Sequence, residues 1–440
     1  MTDADRNWRR FVLFRVLFNA RFYYPVLAVL FLDLGLSATQ YTLLNFAWAI
    51  AIVFTDVPAG VLADRIGRKP LVVAAAIFMV AEMIMLSIAP RNGGIVLLLC
   101  CLTNRVLSGM AEGMASGADE ALVFDSLAER NRSGEWPRVL DHVMRWQGLG
   151  MVIAMLVGGA VYDPAFINRL FGTHLTQGTT LRFPIYLNLL TAVLTLITVL
   201  GLREPNVREK QIVPAAEGKN TANAELTAWH IIQHVGAWIW RTPVALFVIT
   251  AGVLMDSVVR LFLTFSSSYF RIIEVPEVWF GLIGASMGGI GLLVAPLARR
   301  MVAVNSLAKN YALLALIILA GLIGVALRWK YGGVIFIVPL AGAMMALGYM
   351  VSYYLNAIAD SAHRATVLSF KGVATNLAYG FISLLFALVL RAVRQGGNAQ
   401  DALAHGLLFL PVWLLLGALL CSILFRPHTK ALASKIGGDI

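Results

Sequence analysis

The chain has 440 residues, of which 59% are hydrophobic and 13% are charged, and its mean hydropathy is +0.78. A soluble globular protein carries about 25% charged residues, so this composition excludes a water-soluble enzyme, a disordered chain and a disulfide-stabilised scaffold. The apolar stretches are long and continuous, which favours transmembrane helices over the alternating strands of a β-barrel. In a membrane protein the net charge of +11 indicates basic cytoplasmic loops rather than nucleic-acid binding.

Apolar stretches of about 20 residues are long enough to cross a bilayer as helices. The sequence predicts an all-α polytopic membrane protein with about twelve spans, at 11–34, 41–62, 71–90, 95–126, 139–162, 182–202, 242–268, 278–298, 309–328, 332–356, 365–390 and 403–425. Arg15 and Arg21 interrupt the first stretch, and no small-residue cleavage site follows it. We therefore expect a retained helix there rather than a signal peptide.

The distribution of Lys and Arg predicts the orientation. With a cytoplasmic N-terminus, most basic residues outside the spans fall in cytoplasmic segments, so we expect both termini on the cytoplasmic side of the inner (plasma) membrane. The longest polar connection, 203–241, is predicted to be a cytoplasmic linker with a surface helix, between an N-terminal six-helix bundle (1–202) and a C-terminal one (242–440). Two linker histidines, His230 and His234, make a poor metal site by themselves, so we expect no metal or other cofactor.

The connection after the second span, residues 56–70, reads Asp-Val-Pro-Ala-Gly-Val-Leu-Ala-Asp-Arg-Ile-Gly-Arg-Lys-Pro. It closely resembles the signature loop of the major facilitator superfamily, whose pattern is Gly-x-Leu-Ala-Asp-Arg-x-Gly-Arg-Lys between helices 2 and 3. The resemblance implies the fold of that family, with about twelve transmembrane helices in two pseudo-symmetric six-helix bundles. It also implies a secondary transporter that works by alternating access, usually as a monomer.

The charges and glycines of this loop suit a latch between helices that must come apart. Glycines permit close backbone approach or positive φ, and the charges can pair with helix ends and with charges on neighbouring helices. The resemblance implies that the loop locks one conformation, and Asp125 of the fourth span is the preferred partner of Arg65 or Arg68. The predicted latch residues are Asp56, Gly60, Asp64, Arg65, Gly67, Arg68, Lys69 and Asp125.

Two other segments bear on coupling. Residues 105–109, Arg-Val-Leu-Ser-Gly, resemble the family pattern Arg-x-x-Gln-Gly, whose Arg is implicated in proton transfer in proton-coupled members. Gly109, Gly113 and Gly117 recur every fourth residue, which predicts a smooth ridge for helix packing. In the fifth span the Gly158-Gly159 pair ends a stretch that lacks the Gly-Pro of the drug-antiporter signature.

Charged residues inside apolar spans are costly unless paired or wet, so each is a functional candidate. In the family fold the first helix of each three-helix unit lines a central cavity, and the predicted substrate and proton pathway lies on such helices: Arg21, Tyr24, Arg105, Glu112, Asp256 and Arg260. Glu112 is the preferred proton carrier, because burial tends to raise the pKa of a carboxyl, and a structural salt bridge with Arg21 is the alternative. Asp256 and Arg260 are spaced i, i+4 and can pair within one helix, so a structural and a functional role are both open.

These features predict a proton-coupled exporter of an amphipathic organic compound, either drug-like or a metabolite. The alternatives are uptake or exchange of an anionic metabolite or siderophore-like compound through the cavity arginines, and lipid flipping. The sequence has no Walker loop, which leaves ATP-driven pumping without support, and its seven histidines form no catalytic spacing, so we do not expect an enzyme. The expected partners are a small-molecule substrate, protons and the lipid bilayer.

Overall fold

The computed structural model describes residues 3–204, 235–359, 364–394 and 399–428. The α-helices in these ranges are α1 (Asp3–Asn19), α2 (Leu27–Leu34), α3 (Ala38–Ile66), α4 (Lys69–Ile88), α5 (Gly94–Ala115), α6 (Ala118–Ala128), α7 (Trp136–Tyr162), α8 (Pro164–Phe171), α9 (Gln177–Thr180), α10 (Phe183–Leu200), α11 (Pro243–Thr264), α12 (Ser266–Ile272), α13 (Val278–Val304), α14 (Leu307–Ala326), α15 (Ile337–Ile358), α16 (Arg364–Val393), α17 (Ala399–Gly406) and α18 (Phe409–Leu424). Short 3-10 turns lie at Tyr24–Val26, Ser133–Glu135, Gly332–Phe336 and Arg426–His428.

Twelve helical segments in the described ranges are long and apolar enough to cross a membrane, which confirms the predicted all-α polytopic fold. They are Asp5–Leu34, Ala38–Gly60, Lys69–Ile88, Gly94–Ala128, Ser133–Tyr162, Gln177–Leu200, Pro243–Thr264, Val278–Val304, Leu307–Ala326, Gly332–Ile358, Thr366–Val393 and Ala402–Leu424. The seventh span ends at Thr264 rather than at the predicted residue 268, because the chain turns there before α12 begins.

Several spans that were predicted as single helices are interrupted, among them the first, the fourth and the twelfth, which is interrupted between α17 and α18. The first is interrupted between α1 and the turn Tyr24–Val26. The fourth is interrupted between α5 and α6, where Gly117 has φ +72°, a value that a right-handed helix cannot contain. Gly117 therefore ends a helix and is not part of the predicted packing ridge. Non-helical backbone inside a membrane span is tolerated only where it is buried in protein or lines a water-filled cavity.

The other two glycines of the ridge permit close packing of α5 against α3. An added Cβ at Gly109 would lie 2.7 Å from the carbonyl oxygen of Trp48, and one at Gly113 would lie 2.9 Å from the backbone nitrogen of Asp56. Any larger side chain would force these two helices apart. The polar side chains of α5 are thereby held against those of α3.

The long helix α3 has well-defined ends. Ser37 and Gln40 form a capping box at its start. Ser37 Oγ accepts from the backbone N–H of Gln40 at 3.2 Å, and Gln40 Oε1 accepts from the backbone N–H of Ser37 at 2.9 Å. The helix has 29 residues, so its ends are about 43 Å apart. Clusters of charged side chains near these two ends are described below.

The chain forms two compact units. Unit 1 comprises Met1–Ile212 and Phe265–Gly288, and unit 2 comprises Val213–Thr264 and Gly289–Ile440. Residues 265–288 follow the predicted start of the second bundle at residue 242, yet their contacts are mainly with the first part of the chain. One such contact is the Ser267 hydroxyl, which accepts from the amides of Ala28 and Val29 at 3.1 and 3.2 Å.

Candidate functional site

A fully buried ion pair lies in unit 1. The Arg21 guanidinium, 2% exposed, forms a short ion pair with the Glu82 carboxylate of α4, which is 0% exposed. The guanidinium also lies over the Phe18 ring, 5.2 Å from its centroid. An unpaired charge at this depth would cost several kcal/mol, so each residue requires the other. Glu82 was not predicted as a site residue, although an isolated acid in the middle of an apolar span is the signal that marks it.

Arg21 lies in the helix break, between the end of α1 and the turn Tyr24–Val26. The neighbouring Phe22 amide donates to the side-chain oxygen of Asn188 at 2.6 Å. The Phe22 carbonyl faces α7 at Gly158, where an added Cβ would lie 1.8 Å from the carbonyl oxygen. Gly158 therefore allows α7 to cross the break at close range, which gives one glycine of the Gly158-Gly159 pair a physical reason.

A second carboxylate, that of Glu112 in α5, faces the same guanidinium. Glu112 Oε1 lies 3.7 Å from Arg21 Nη2, and the Glu112 side chain is 32% exposed. Tyr24 is 38% exposed and lies within electrostatic range of both residues. The structure thus brings Arg21, Tyr24 and Glu112 together, with one cation facing two acids.

Arg105 occupies a different environment on α5. Its Nη2 donates to the side-chain oxygen of Asn45 at 3.1 Å, and its guanidinium lies over the Trp48 ring, 5.6 Å from the centroid. The side chain is buried, and it forms no ion pair with any described residue. Its contacts on α3 are polar and aromatic rather than acidic, and its charge also acts on Glu112 without a direct ion pair between the two.

The signature loop forms a compact set of contacts that we call the Arg68 cluster: Gly67, Arg68, Lys69, Asp125 and Glu204. The Arg68 guanidinium forms a short ion pair with Asp125 of α6. The Glu204 carboxylate accepts from the amides of Arg68 and Lys69 at 2.8 and 2.6 Å, and so caps the start of α4. Gly67 has φ +100°, and an added Cβ there would lie 2.9 Å from Glu204 Oε1. Glycine is therefore required for two reasons: the positive φ disfavours other residues, and a side chain would collide with the capping carboxylate of Glu204.

The other predicted latch residues are placed differently. At Gly60 no atom of a described residue lies within 4 Å of the position that a Cβ would take, and Gly60 is not among the described glycines with positive φ. Asp56 is half-buried in α3 and forms no ion pair with a described residue. The side chains of Asp64 and Arg65 lie outside the described residues.

A second charged set, which we call the Arg271 cluster, consists of Asp33, Tyr162, Arg271 and Glu277 in unit 1. Arg271 donates to both carboxylate oxygens of Asp33, at 2.7 and 2.8 Å, and its Nε donates to Glu277 Oε1 at 3.0 Å. The Tyr162 hydroxyl donates to Asp33 Oδ2 at 2.6 Å. None of these four residues was predicted, because the contacts join segments that are distant in the sequence.

Glu277 carries a perturbed pKa. Burial raises the pKa of its carboxyl, and the nearby Asp33 and Asp163 carboxylates raise it further, while Arg271 opposes the shift. Asp163 itself accepts from the Val278 amide at 3.2 Å. Asp33 and Glu277 thus share the Arg271 guanidinium, and Asp163 lies within electrostatic range of Glu277.

In unit 2, Asp256 and Arg260 of α11 form the predicted i, i+4 ion pair, at 2.9 Å. The Arg260 guanidinium also donates to the Asn376 side chain of α16 at 3.2 Å and lies over the Tyr379 ring, 5.6 Å from the centroid. The pair is half-buried rather than sealed. It therefore links α11 to α16 and remains in reach of solvent.

A small cavity opens beside this pair. It is lined by Ile249, Gly252, Val253 and Asp256 of α11, by Leu347, Gly348 and Val351 of α15, and by Lys371 and Thr375 of α16, and its volume is about 30 Å³. Lys371 lies inside the eleventh span, Thr366–Val393, and was not predicted as a site residue. An intramembrane lysine was the available signal, by the same rule that selected the arginines.

The described residues contain no group of three or more His, Cys, Asp or Glu side chains that could hold a metal ion. The described sites bring together charged pairs, hydroxyls and aromatic rings. These groups can bind a charged organic compound and can take up or release a proton.

Comparison with known proteins identifies the family. The chain matches the model of the Major Facilitator Superfamily over residues 11–386, and it therefore belongs to that superfamily. It is a multi-pass membrane protein and a secondary transporter that works by alternating access on a small molecule. The family and its structural neighbours indicate a transporter rather than an enzyme.

Several solved structures share the fold. The nucleoside transporter NupG has a TM-score of 0.71 at 12% identity, covering 97% of this chain and 100% of that chain. A bacterial homolog of the human lysosomal transporter Spinster has a TM-score of 0.69 at 15% identity, covering 99% of both chains. A D-xylose-proton symporter has a TM-score of 0.67 at 15% identity, covering 100% of both chains. No curated protein sequence matches the chain significantly.

Proposed function

We propose that the protein couples the movement of an amphipathic organic compound to protons, with Glu112 as the proton carrier and export as the direction. The observation that carries the coupling is the arrangement around Arg21. Glu82 is sealed against the guanidinium at 0% exposure, whereas Glu112 stands 3.7 Å away and is 32% exposed. Glu82 holds the close contact with Arg21, so Glu112 is only loosely paired and can gain or lose a proton while Arg21 keeps its counter-ion.

The accessibility of Glu112 distinguishes it from Glu82 as a carrier. A proton carrier must meet water at some stage of the cycle, and the Glu112 side chain is the more accessible of the two acids, at 32% against 0% exposed for Glu82. Its charge also acts on Arg21, which sits in the break of the first span, so loading can bias the backbone there. Glu82 serves as the permanent counter-ion that keeps Arg21 in place.

The orientation belongs to the same proposal. Basic connections favour cytoplasmic termini in a plasma or inner membrane, with the Arg68 cluster on the cytoplasmic side and the Arg271 cluster on the opposite side. The protein acts as a monomer in the lipid bilayer, with one six-helix bundle at 1–202 and the other at 242–440, joined by the cytoplasmic linker 203–241.

The test is proton flux in proteoliposomes that contain a pH dye. Wild-type protein and Glu112→Gln are challenged with a panel of cationic, anionic and lipid-like compounds. We expect at least one compound to trigger proton flux in the wild type and none to do so in Glu112→Gln. Glu129→Gln, which changes an exposed acid after α6, is the matched control and should keep the flux. Flux that persists in Glu112→Gln contradicts the assignment of the carrier.

Uptake or exchange of an anionic metabolite is the second candidate, and the environment of Arg105 favours it. Arg105 is 7% exposed, and no described residue forms an ion pair with it. A buried cation without a direct ion pair attracts an anionic ligand. Labelled anion exchange without proton flux in the same vesicles would favour this candidate over proton-coupled export.

A further inference from the structure

The cavity between α11, α15 and α16 of unit 2 carries charges of both signs. Asp256 and Lys371 both line it. Asp256 is already engaged by Arg260 at 2.9 Å. The Lys371 ammonium forms no ion pair with a described residue, although it lies within the eleventh span. The pocket and its immediate partner thus hold two cations and one carboxylate, which leaves one net positive charge.

The net positive charge of the pocket determines which ligand charge it favours. A monoanion would neutralise the site, whereas a cation would add to the excess and a dianion would overshoot it. Near a membrane interior, where the effective dielectric constant is low, an uncompensated charge is costly, so a neutral total is strongly favoured. A carboxylate is the common organic monoanion, and it accepts charge-assisted hydrogen bonds from an ammonium.

The size and walls of the cavity indicate what the rest of the ligand looks like. A volume of about 30 Å³ accommodates a carboxylate-sized group rather than a whole organic compound. The remaining lining is apolar, with Ile249, Val253, Leu347 and Val351 around the polar groups. Such a setting suits a charged head that enters the pocket and an apolar body that lies against its rim.

We propose that this pocket is a subsite for the carboxylate group of an amphipathic substrate, with Lys371 as its counter-ion. Thr375, one helical turn from Lys371, adds a hydroxyl to the lining. Arg260 adds to the positive charge near the pocket. Its guanidinium is held by Asp256, Asn376 and Tyr379 and does not line the cavity, so it would act on the ligand through its charge rather than by direct contact. This inference rests on the proposed function as an organic-compound transporter, and it names the substrate class without requiring proton coupling or a direction.

The first test is binding of three probes with the same aromatic tail to the purified full-length protein: phenylbutanoate, phenylbutyl trimethylammonium and phenylbutanol. We expect the carboxylate to bind in equilibrium titrations, and the other two to bind at least about tenfold more weakly, since they lack the charge-assisted hydrogen bond to Lys371. Binding of the ammonium probe in preference to the carboxylate, or no binding of the carboxylate, overturns the proposal.

Variants then assign the binding to the pocket. Lys371→Gln should weaken carboxylate binding by roughly tenfold or more, since one charge-assisted hydrogen bond is removed. Lys371→Arg should keep most of the affinity because the positive charge remains. Lys309→Gln, which changes an exposed lysine near the start of α14, is the control and should bind as the wild type does. Equal affinity of Lys371→Gln and the wild type for the carboxylate rejects the subsite. Lys371 would then serve only as an anchor at the membrane interface.

Two further variants separate charge from shape. Asp256→Asn increases the positive excess, so carboxylate binding should be retained or strengthened, whereas a cation site would be lost. Gly348 lines the cavity, and no described atom lies within 4 Å of an added Cβ there, so Gly348→Leu places a side chain at the cavity wall and should weaken binding. Gly372 also has no described atom within 4 Å of an added Cβ but does not line the cavity, so Gly372→Leu should bind normally.

The outcome also separates this inference from the proposed function. Carboxylate binding that depends on Lys371, together with proteoliposomes in which no compound moves protons, keeps the subsite and rejects proton coupling. Proton flux driven by a cationic compound and unaffected by Lys371→Gln keeps the proposed function and rejects the subsite.

Discussion

Two charged clusters near opposite ends of α3 join different parts of the chain. The Arg68 cluster draws its described members from residues 67–69, 125 and 204, all of which belong to the first six spans or directly follow them. The Arg271 cluster joins Asp33 to Arg271, which are 238 positions apart, and so connects the first span to the segment after the seventh.

This difference suggests different roles in a transport cycle. Alternating access in this superfamily moves the two halves of the chain against each other. Contacts confined to the first half of the sequence can persist through that movement. Asp33 and Arg271 lie in the same compact unit but come from different halves of the sequence, so we expect their contacts to break if residues 265–288 move with the second half. We therefore expect the Arg68 cluster to brace unit 1 and the Arg271 cluster to act as the releasable latch. The resemblance of the signature loop implies instead that Arg68 and Asp125 belong to the latch, and that assignment stays a prediction.

The largest effect is expected for Arg271→Gln. The substitution leaves the Asp33 and Glu277 carboxylates, which are 17% and 18% exposed, without their shared cation. Breaking a fully buried pair costs about 3–5 kcal/mol, and the partial exposure of Arg271 reduces the expected loss to about 2–3 kcal/mol. The measurement is the melting temperature of the purified protein. Arg169→Gln, which removes an exposed arginine, is the control, and an equal effect of both changes would contradict the role of the cluster.

The next effect is expected for Gly67→Ala in the Arg68 cluster. Gly67 has φ +100° and ψ 167°, a region that is almost exclusive to glycine, and a methyl group would also displace Glu204. We expect a loss of about 1–3 kcal/mol in the free energy of unfolding. Gly60→Ala is the matched control, because it has free space in a helix and should be neutral or stabilising by up to about 1 kcal/mol. A Gly67→Ala protein as stable as the wild type would show that the cap is dispensable.

A smaller effect is expected for pH, acting through Glu277. Because its folded pKa is raised above the ordinary value of 4.5, the folded state holds a proton that the unfolded chain would release. The free energy of unfolding should therefore rise as the pH falls from neutral through the raised pKa, and should level off below 4.5. In Glu277→Gln this contribution should vanish. The check is the melting temperature of both proteins across that range, and parallel curves would assign the pH dependence elsewhere.

The smallest effect is expected for Arg145→Ala. Arg145 pairs with Asp141 one helical turn away, but the two side chains are 77% and 50% exposed. Such pairs contribute at most about 0.5 kcal/mol. We expect a melting temperature within error of the wild type, which gives the baseline against which the losses in the two clusters are compared. A large drop would mean that exposure is a poor guide to the strength of the ion pairs in this protein.

The architecture was predictable because hydrophobic length and the signature loop are local properties of the sequence. Twelve spans follow from composition, and the pairing of Asp256 with Arg260 follows from their spacing of four residues on one helix. The helix break after Asn19 was not predicted, because Arg21 looked like one more residue of a continuous apolar helix. Its partner Glu82 is 61 positions away, and no local pattern connects them.

The unpredicted site residues share this long-range character. Arg271 and Asp33 meet only once the chain has folded, and Glu204 reaches the start of α4 from 135 positions away. Lys371 is different, since an intramembrane lysine is visible in the sequence, but its significance depends on the cavity that α11 and α15 form around it. Intramembrane charges thus identify candidates, and tertiary contacts decide which of them are neutralised.

The most direct test of the account compares exchange with uphill transport in proteoliposomes, using a compound that moves protons in the wild type. Exchange of labelled for unlabelled compound needs no net proton movement, whereas accumulation against a gradient does. We predict that Glu112→Gln keeps exchange near the wild-type rate and loses proton-driven accumulation. If Glu112→Gln accumulates the compound as the wild type does, or loses exchange and accumulation together while remaining folded, Glu112 is not the proton carrier.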